Sequence, residues 1–154
     1  MLVRAAGAAD ALVLAALRAR WTEELRGPVD DPTFDDRFSA WFARESAQRL
    51  AWVAETDAGA PVGMVNVAEF ERMPRPGAAP SRWGYVANTY VVPEHRDAGV
   101  GSMLMAALTS YADEAGLVRL VLSPTARSVP FYERGGFTGD HDLLLRLRAA
   151  GPRA

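Results

Sequence analysis

Cysteine is absent from the chain. That excludes disulfides, a thiolate nucleophile and cysteine-ligated metal. Histidine is nearly absent as well, with His95 and His141 alone, so a histidine-rich metal site is not expected and no metal is invoked. Long apolar runs are missing. The longest early one, Ala11 to Leu17, is closed off by Asp10 and Arg18 and falls far short of the roughly 20 residues a membrane-spanning helix requires. No basic region stands before it, so a signal peptide is not expected. Neither sign of charge is in excess. A net charge of -2 and a pI near 5.7 give no general attraction to nucleic acid or to an anionic membrane. These absences leave the expectation of a soluble cytoplasmic protein with neither of those partners.

What is present is an ordinary globular composition. Hydrophobic residues at 49% and charged ones at 23% in 154 residues suit one domain with a substantial core. The expected domain covers residues 1–148, and 149–154 form a frayed tail. Met1 to Ala5 reads as an edge strand. Asp10 suits a helix N-cap, followed by Val13, Leu14, Leu17 and Trp21 at helical spacing. Asp31-Pro32 suits a cap with proline at the first helical position, and Phe34, Phe38, Trp41 and Phe42 form one apolar stripe assigned to core packing.

Strands are expected at Trp52 to Thr56 and Pro61 to Phe70, where Val65, Val67 and Glu69 share a face. Met73 to Ser81, with three prolines and a glycine, is a loop. Gly84 to Val92 is the central strand, placing Thr89 and Val91 on one face and Asn88, Tyr90 and Val92 on the other. A helix after Gly101 carries Leu104, Leu108, Tyr111 and Ala115 and closes at Gly116. Val118 to Leu122 is a strand, Val129 to Arg134 a short helix, and Asp142 to Leu147 a last strand. The order gives a mixed α/β sheet with helices on both faces.

The central strand runs into Arg96-x-x-Gly99-x-Gly101. Glycines let the backbone approach an anion, and the free N–H groups of the following helix point at it with the positive dipole end behind them. A tight strand-to-helix connection needing glycine for shape alone is the other reading. A Rossmann site would need a third glycine where Leu104 stands, and no Lys-Ser or Lys-Thr follows the glycines as a Walker loop demands. The anion site needs another owner.

Phe131-Tyr132-Glu133-Arg134-Gly135-Gly136-Phe137 supplies the second stretch. With Tyr90-Val91, Pro93 and the Arg96-x-x-Gly99-x-Gly101 pattern, it resembles the GCN5-related N-acetyltransferase (GNAT) family over nearly the whole chain. The resemblance implies a mostly antiparallel central sheet and acetyl-CoA as co-substrate. The pyrophosphate would lie on the backbone amides of Asp97, Ala98, Gly99, Val100, Gly101 and Ser102, with charge added by Arg96 unless its side chain points to solvent. The pantetheine arm would pair with Thr89, Tyr90 and Val91, and the Val91 N–H would meet the thioester carbonyl, where a preorganised donor stabilises the developing oxyanion.

Tyr132, flanked by Phe131, maps to the general acid that protonates the CoA thiolate; without the motif it reads as a packed core tyrosine. Many relatives carry an asparagine and an alanine where this chain has Thr125 and Ser128. A threonine hydroxyl can still bond the arm, and Ser128 has two readings, a CoA contact or a cap of the short helix. Glu69 is the expected base for the acceptor amine and Asn88 the group that orients a water or the amine; a solvated strand-end charge is the other reading of Glu69. The acidic run Glu23, Glu24, Asp30, Asp31, Asp140 and Asp142 leans toward a cationic acceptor. The function implied is direct acetyl transfer from acetyl-CoA to a primary amine of a small molecule or peptide. A non-catalytic acyl-CoA-binding module and a nucleotide-binding domain are the alternatives, and the family admits a homodimer.

Overall fold

The computed structural model describes residues 1–139, grouped into two compact units that divide between Ser123 and Pro124. The expected strand Asp142 to Leu147, the tail 149–154, Asp140 and Asp142 lie outside the described residues.

The first unit is a five-stranded sheet in sequential order. Its strands are β1 (Leu2–Ala5), β2 (Arg49–Glu55), β3 (Pro61–Glu71), β4 (Arg82–Val91) and β5 (Leu120–Val121), antiparallel except for the parallel β4–β5 pair. Two helices, α1 (Ala11–Arg26) and α2 (Phe34–Glu45), precede β2, and α3 (Val100–Glu114) links β4 to β5. The pairing register fixes the faces, because directly opposite residues of antiparallel strands project to the same side. Trp52 lies opposite Val65, and Ala51 opposite Asn66. A methyl added at Gly63 would meet Leu104 and Val100 of α3. Trp52, Gly63, Val65, Val67 and Glu69 therefore face α3, while Ala51, Met64 and Asn66 face α1 and α2.

β3 is wholly buried from Val62 to Ala68, which explains its nearly continuous apolar run. Leu104 and Leu108 of α3 are fully buried on one side of the sheet, and Leu14, Ala15 and Leu17 of α1 on the other. Gly84 of β4 is required by packing: a Cβ there would lie 2.6 Å from Val67 and 2.8 Å from Leu120.

Three local expectations are corrected. Asp10 occupies the N-cap position of α1 but makes no side-chain cap bond. Its carboxylate binds Arg4 through two bonds of 2.7 and 2.9 Å, and Arg4 with its backbone-amide partner Gly7 holds it below the usual carboxylate range against its burial. α2 starts at Phe34, not after Asp31, since the Asp31 side chain accepts from Thr33 and Arg37. β5 covers only Leu120–Val121 of the expected Val118–Leu122.

The second unit contains α4 (Val129–Arg134), preceded by a single 3-10 turn at Ala126–Ser128. Among the described residues no helix is long and apolar enough to cross a membrane, and no cluster of metal-ligating side chains occurs.

Candidate active site

β4 is two-sided only at its start. β5 pairs with it at Gly84 and Tyr85 alone, so among the described residues no strand covers the outer edge beyond Tyr85. The Val92 N–H donates to the Val62 carbonyl at 2.9 Å on the inner edge. N–H groups alternate in direction along a strand, so the Val91 N–H points to the open outer edge. The Val91 carbonyl points the same way and accepts from Arg96 Nε at 2.9 Å.

The alternation expected through β4 is broken upstream. Asn66 faces Ala87 and Met64 faces Tyr90, so β4 carries one more residue than β3 across that step. The bulge falls at Asn88 and Thr89, with Asn88 at a left-handed φ of 53°, a conformation asparagine tolerates better than most residues. The bulge brings Tyr85, Ala87 and Tyr90 onto one face, the α1/α2 face. There Tyr90 stacks on Trp21 with ring centres 5.6 Å apart. Its hydroxyl is pushed up by burial and by Glu24.

After β4 the chain makes a 3-10 turn at Pro93–His95 and enters α3 through Asp97 (φ 58°) and Gly99 (φ 81°). Gly99 holds the N-cap position, no side chain caps the helix, and its first turn has no acidic residue. The first backbone bond of α3 runs from the Met103 N–H to the Gly99 carbonyl at 3.0 Å, leaving the N–H groups of Val100, Gly101 and Ser102 without helical acceptors. The stretch from Asp97 to Ser102 thus forms a glycine-bearing helix start at the end of the same strand whose edge presents the Val91 N–H. Arg96 is not turned to solvent: Nη2 donates to Glu24 of α1 at 2.6 Å. Glu24 raises its pKa, against the opposing effect of burial.

The α1/α2 face holds a cavity of about 250 Å³ lined by Leu14 and Arg18, by Phe34, Phe38, Trp41 and Phe42, by Arg49 and Ala51, and by Met64, Asn66 and Asn88. The aromatic stripe assigned to the core is therefore mostly a cavity wall. Phe42 alone of α2 is buried, and Phe34, Phe38 and Trp41 are half-buried. Asn66 Oδ1 accepts from Arg49 at 3.0 Å, and the Arg49 guanidinium lies over Trp41 at 5.4 Å.

Asn88 is brought to this cavity; Glu69 is not. Glu69 faces α3, where it pairs with Arg82 and accepts the Tyr111 hydroxyl. That placement corrects its reading as the acceptor's base, because its oxygens are occupied on the opposite side of the sheet. Sequence reasoning missed Arg18, Arg49 and Asn66. Two signals were available: Arg18 follows Leu14 by one helical turn on the apolar side of α1, and Asn66 interrupts an otherwise apolar strand.

In the second unit, Tyr132 is half-buried between Phe131 and Phe137, with ring centres at 4.9 and 5.9 Å. Its hydroxyl makes no hydrogen bond among the described residues. Thr125 and Ser128 bond each other, Oγ1 to Oγ at 3.0 Å, and the Ser128 hydroxyl also meets the Thr125 backbone. Ser128 holds the N-cap position of α4 without a side-chain cap bond.

The model of the acetyltransferase (GNAT) family matches residues 14–137. A glucosamine 6-phosphate N-acetyltransferase of Trypanosoma brucei brucei is 33% identical over 64 residues, 42% of this chain and 43% of that protein. An uncharacterised N-acetyltransferase of Bacillus subtilis is 34% identical over 55 residues, 36% of this chain and 39% of that protein. The matched stretches thus span less than half of either curated relative. Among solved structures, a GCN5-related N-acetyltransferase of Ralstonia eutropha superposes with a TM-score of 0.72 at 26% identity, covering 95% of this chain and 97% of that one. A predicted acetyltransferase of Clostridium acetobutylicum, solved with acetyl-CoA, gives 0.75 at 23% identity over 96% and 95%.

Proposed function

Since the chain belongs to the acetyltransferase (GNAT) family, we propose that it carries an acetyl group from acetyl-CoA directly to a primary amine of a small molecule or peptide. The observation that carries this reading is the edge of β4 that no described strand covers beyond Tyr85. One strand end offers both an outward Val91 N–H and an uncapped, glycine-bearing helix start. The helix start suits the pyrophosphate, through the amides from Asp97 to Ser102. The strand edge suits the pantetheine arm along Thr89, Tyr90 and Val91. Arg96 acts on the loop's shape, since its guanidinium joins the Val91 carbonyl to Glu24.

The amine nitrogen attacks the thioester carbonyl carbon, and the Val91 N–H stabilises the oxyanion as the carbon becomes tetrahedral. The C–S bond then breaks and the thiolate takes a proton from Tyr132, a role carried over from the Phe131-Tyr132-Glu133 motif and compatible with a hydroxyl that makes no hydrogen bond among the described residues. The proton leaving the amine passes to water ordered at Asn88. The chain has no cysteine to form an acyl-enzyme, which favours direct attack.

Calorimetric titration of CoA tests the donor half. Gly101→Glu is expected to abolish binding, more than about a hundredfold, by placing bulk and a like charge at the pyrophosphate. The fold survives, because an acidic side chain in the first turn of a helix is itself favourable. Unchanged CoA affinity removes the anion site. In acetyl-CoA-dependent thiol release, Tyr132→Phe is expected to lower turnover by about a hundredfold while leaving CoA affinity in place. Turnover at the wild-type rate removes the general acid. CoA binding with no thiol release on any amine points instead to an acyl-CoA-binding module.

A further inference from the structure

We propose that the acceptor is a small primary amine whose apolar body carries a carboxylate or phosphate, and that Arg18 recognises this anion in the α1/α2 cavity. The inference rests on the acetyl-transfer reading and gives it a substrate class.

The cavity wall has a definite charge. Its ionisable members are Arg18 and Arg49, its other polar members are Asn66 and Asn88, and no carboxylate lines it among the described residues. Of the acidic groups that favoured a cationic acceptor, Asp31 is committed to Thr33 and Arg37 and Glu24 to Arg96, and none of the described ones lines this cavity. A polyamine would bring a second ammonium beside two guanidinium groups in a partly desolvated site, where like charges repel more than in water.

The two arginines differ. Arg49 is engaged by Asn66 at 3.0 Å and by Glu45 at 3.4 Å. Arg18 is half-buried, its guanidinium lies over the Trp21 ring at 4.6 Å, and that guanidinium has neither ion pair nor hydrogen bond among the described residues. A guanidinium lying over an indole at a cavity wall, with its fork of donors unused among the described residues, suits bidentate binding of an anion. Phe34, Phe38 and Trp41 supply the apolar surface for the rest of the ligand. A volume of about 250 Å³ lies just below the roughly 300–1,000 Å³ of drug-sized ligand sites, which fits a single amino-acid-sized acceptor.

The test uses a matched series titrated calorimetrically into the CoA-saturated protein: phenylalanine, its phosphonate analogue 1-amino-2-phenylethylphosphonate, phenethylamine as the twin without an anion, and spermidine. One anionic member is expected to bind at least about tenfold tighter than phenethylamine, and which one does so separates a carboxylate from a phosphate acceptor. Arg18→Gln is expected to reduce that ratio to about threefold or less. Spermidine or phenethylamine binding as tightly as both anionic members, no binding by any of the four, or a ratio unchanged in Arg18→Gln overturns the proposal. Thiol release from acetyl-CoA with the same amines keeps the two claims apart. Release with spermidine or phenethylamine but not with the anionic pair sinks the anion site and leaves acetyl transfer standing. An Arg18-dependent binding preference with no release from any amine does the reverse.

Discussion

The two faces of the sheet are built from the same strands and end up with opposite characters. On the α3 face, Leu104 and Leu108 pack without exposure against Val65 and Val67, which have none either. A side chain at Gly84 would collide with Val67 and Leu120, and one at Gly63 would press on Leu104 and the Tyr90 carbonyl. Glu69 there has Arg82 and Tyr111 as partners. On the α1/α2 face, three of four aromatic residues of α2 stay half-buried around a cavity, Arg18 has no ion pair among the described residues, and Asn88 holds a left-handed backbone. A face whose buried apolar groups are packed and whose Glu69 is paired has little left to offer a ligand. The face with gaps and unused donors can bind one. The same contrast runs along β4, which is paired on both edges at Gly84 and, among the described residues, on one edge alone at Val91.

The strongest way to break this comparison is to open the closed face. Leu108 is 0% exposed, and Leu108→Ala removes buried methyl groups from a layer with little room to relax. The expected loss is about 3 kcal/mol of unfolding free energy, since truncations of this kind cost roughly 2–5 kcal/mol. Denaturant titration measures it through the midpoint. Below the unfolding transition the acceptor KM is expected to stay within about twofold, as α3 contributes no residue to the cavity. A large change in KM with stability intact would mean that the two faces are not separate in function.

How much of this was legible in the residues depends on whether the cause was local. Gly99 and the glycines after Arg134 punctuate the chain by their own backbone freedom, so α3 and α4 fall where the spacing places them. Helical periodicity likewise shows that Phe34, Phe38, Trp41 and Phe42 share one face. It does not say whether the opposing helix fills the space, and α1 opposes that stripe with Leu14 and Arg18. Alternation put Glu69 with Val65 and Val67 correctly, but which helix covers their face is set by the crossover after β4. The bulge at Asn88 was not legible, because it arises from the pairing of β4 with β3 and not from any property of Asn88-Thr89 alone. The α2 start was misplaced because Asp31 has a choice of donors, and Arg37, one turn inside the helix, competes for it. The glycine-bearing helix start of α3 was the most readable part because its chemistry is backbone chemistry, dictated by glycine. The α1/α2 cavity was the least, because it is made by residues from five elements.

The smaller effect on stability is expected from the open face, where it comes with a larger effect on binding. Phe38 sits at the centre of the α2 aromatics, with ring centres 5.8 Å from Phe34, 5.2 Å from Trp41 and 6.4 Å from Phe42. A fully buried phenylalanine truncated to alanine costs roughly 3–5 kcal/mol, so a half-buried one facing a cavity should cost about 1–2 kcal/mol. The cavity widens and its apolar wall loses its middle. The expected outcome of Phe38→Ala is thus a modest midpoint shift in denaturant, an acceptor KM raised about tenfold and a CoA affinity within about twofold of wild type. Leu108→Ala predicts the reverse pattern, so the pair forms a crossed test read with the same three measurements. If Phe38→Ala destabilised the fold as strongly as Leu108→Ala and left KM alone, the aromatic stripe would be core after all, and the cavity would have no part in acceptor binding.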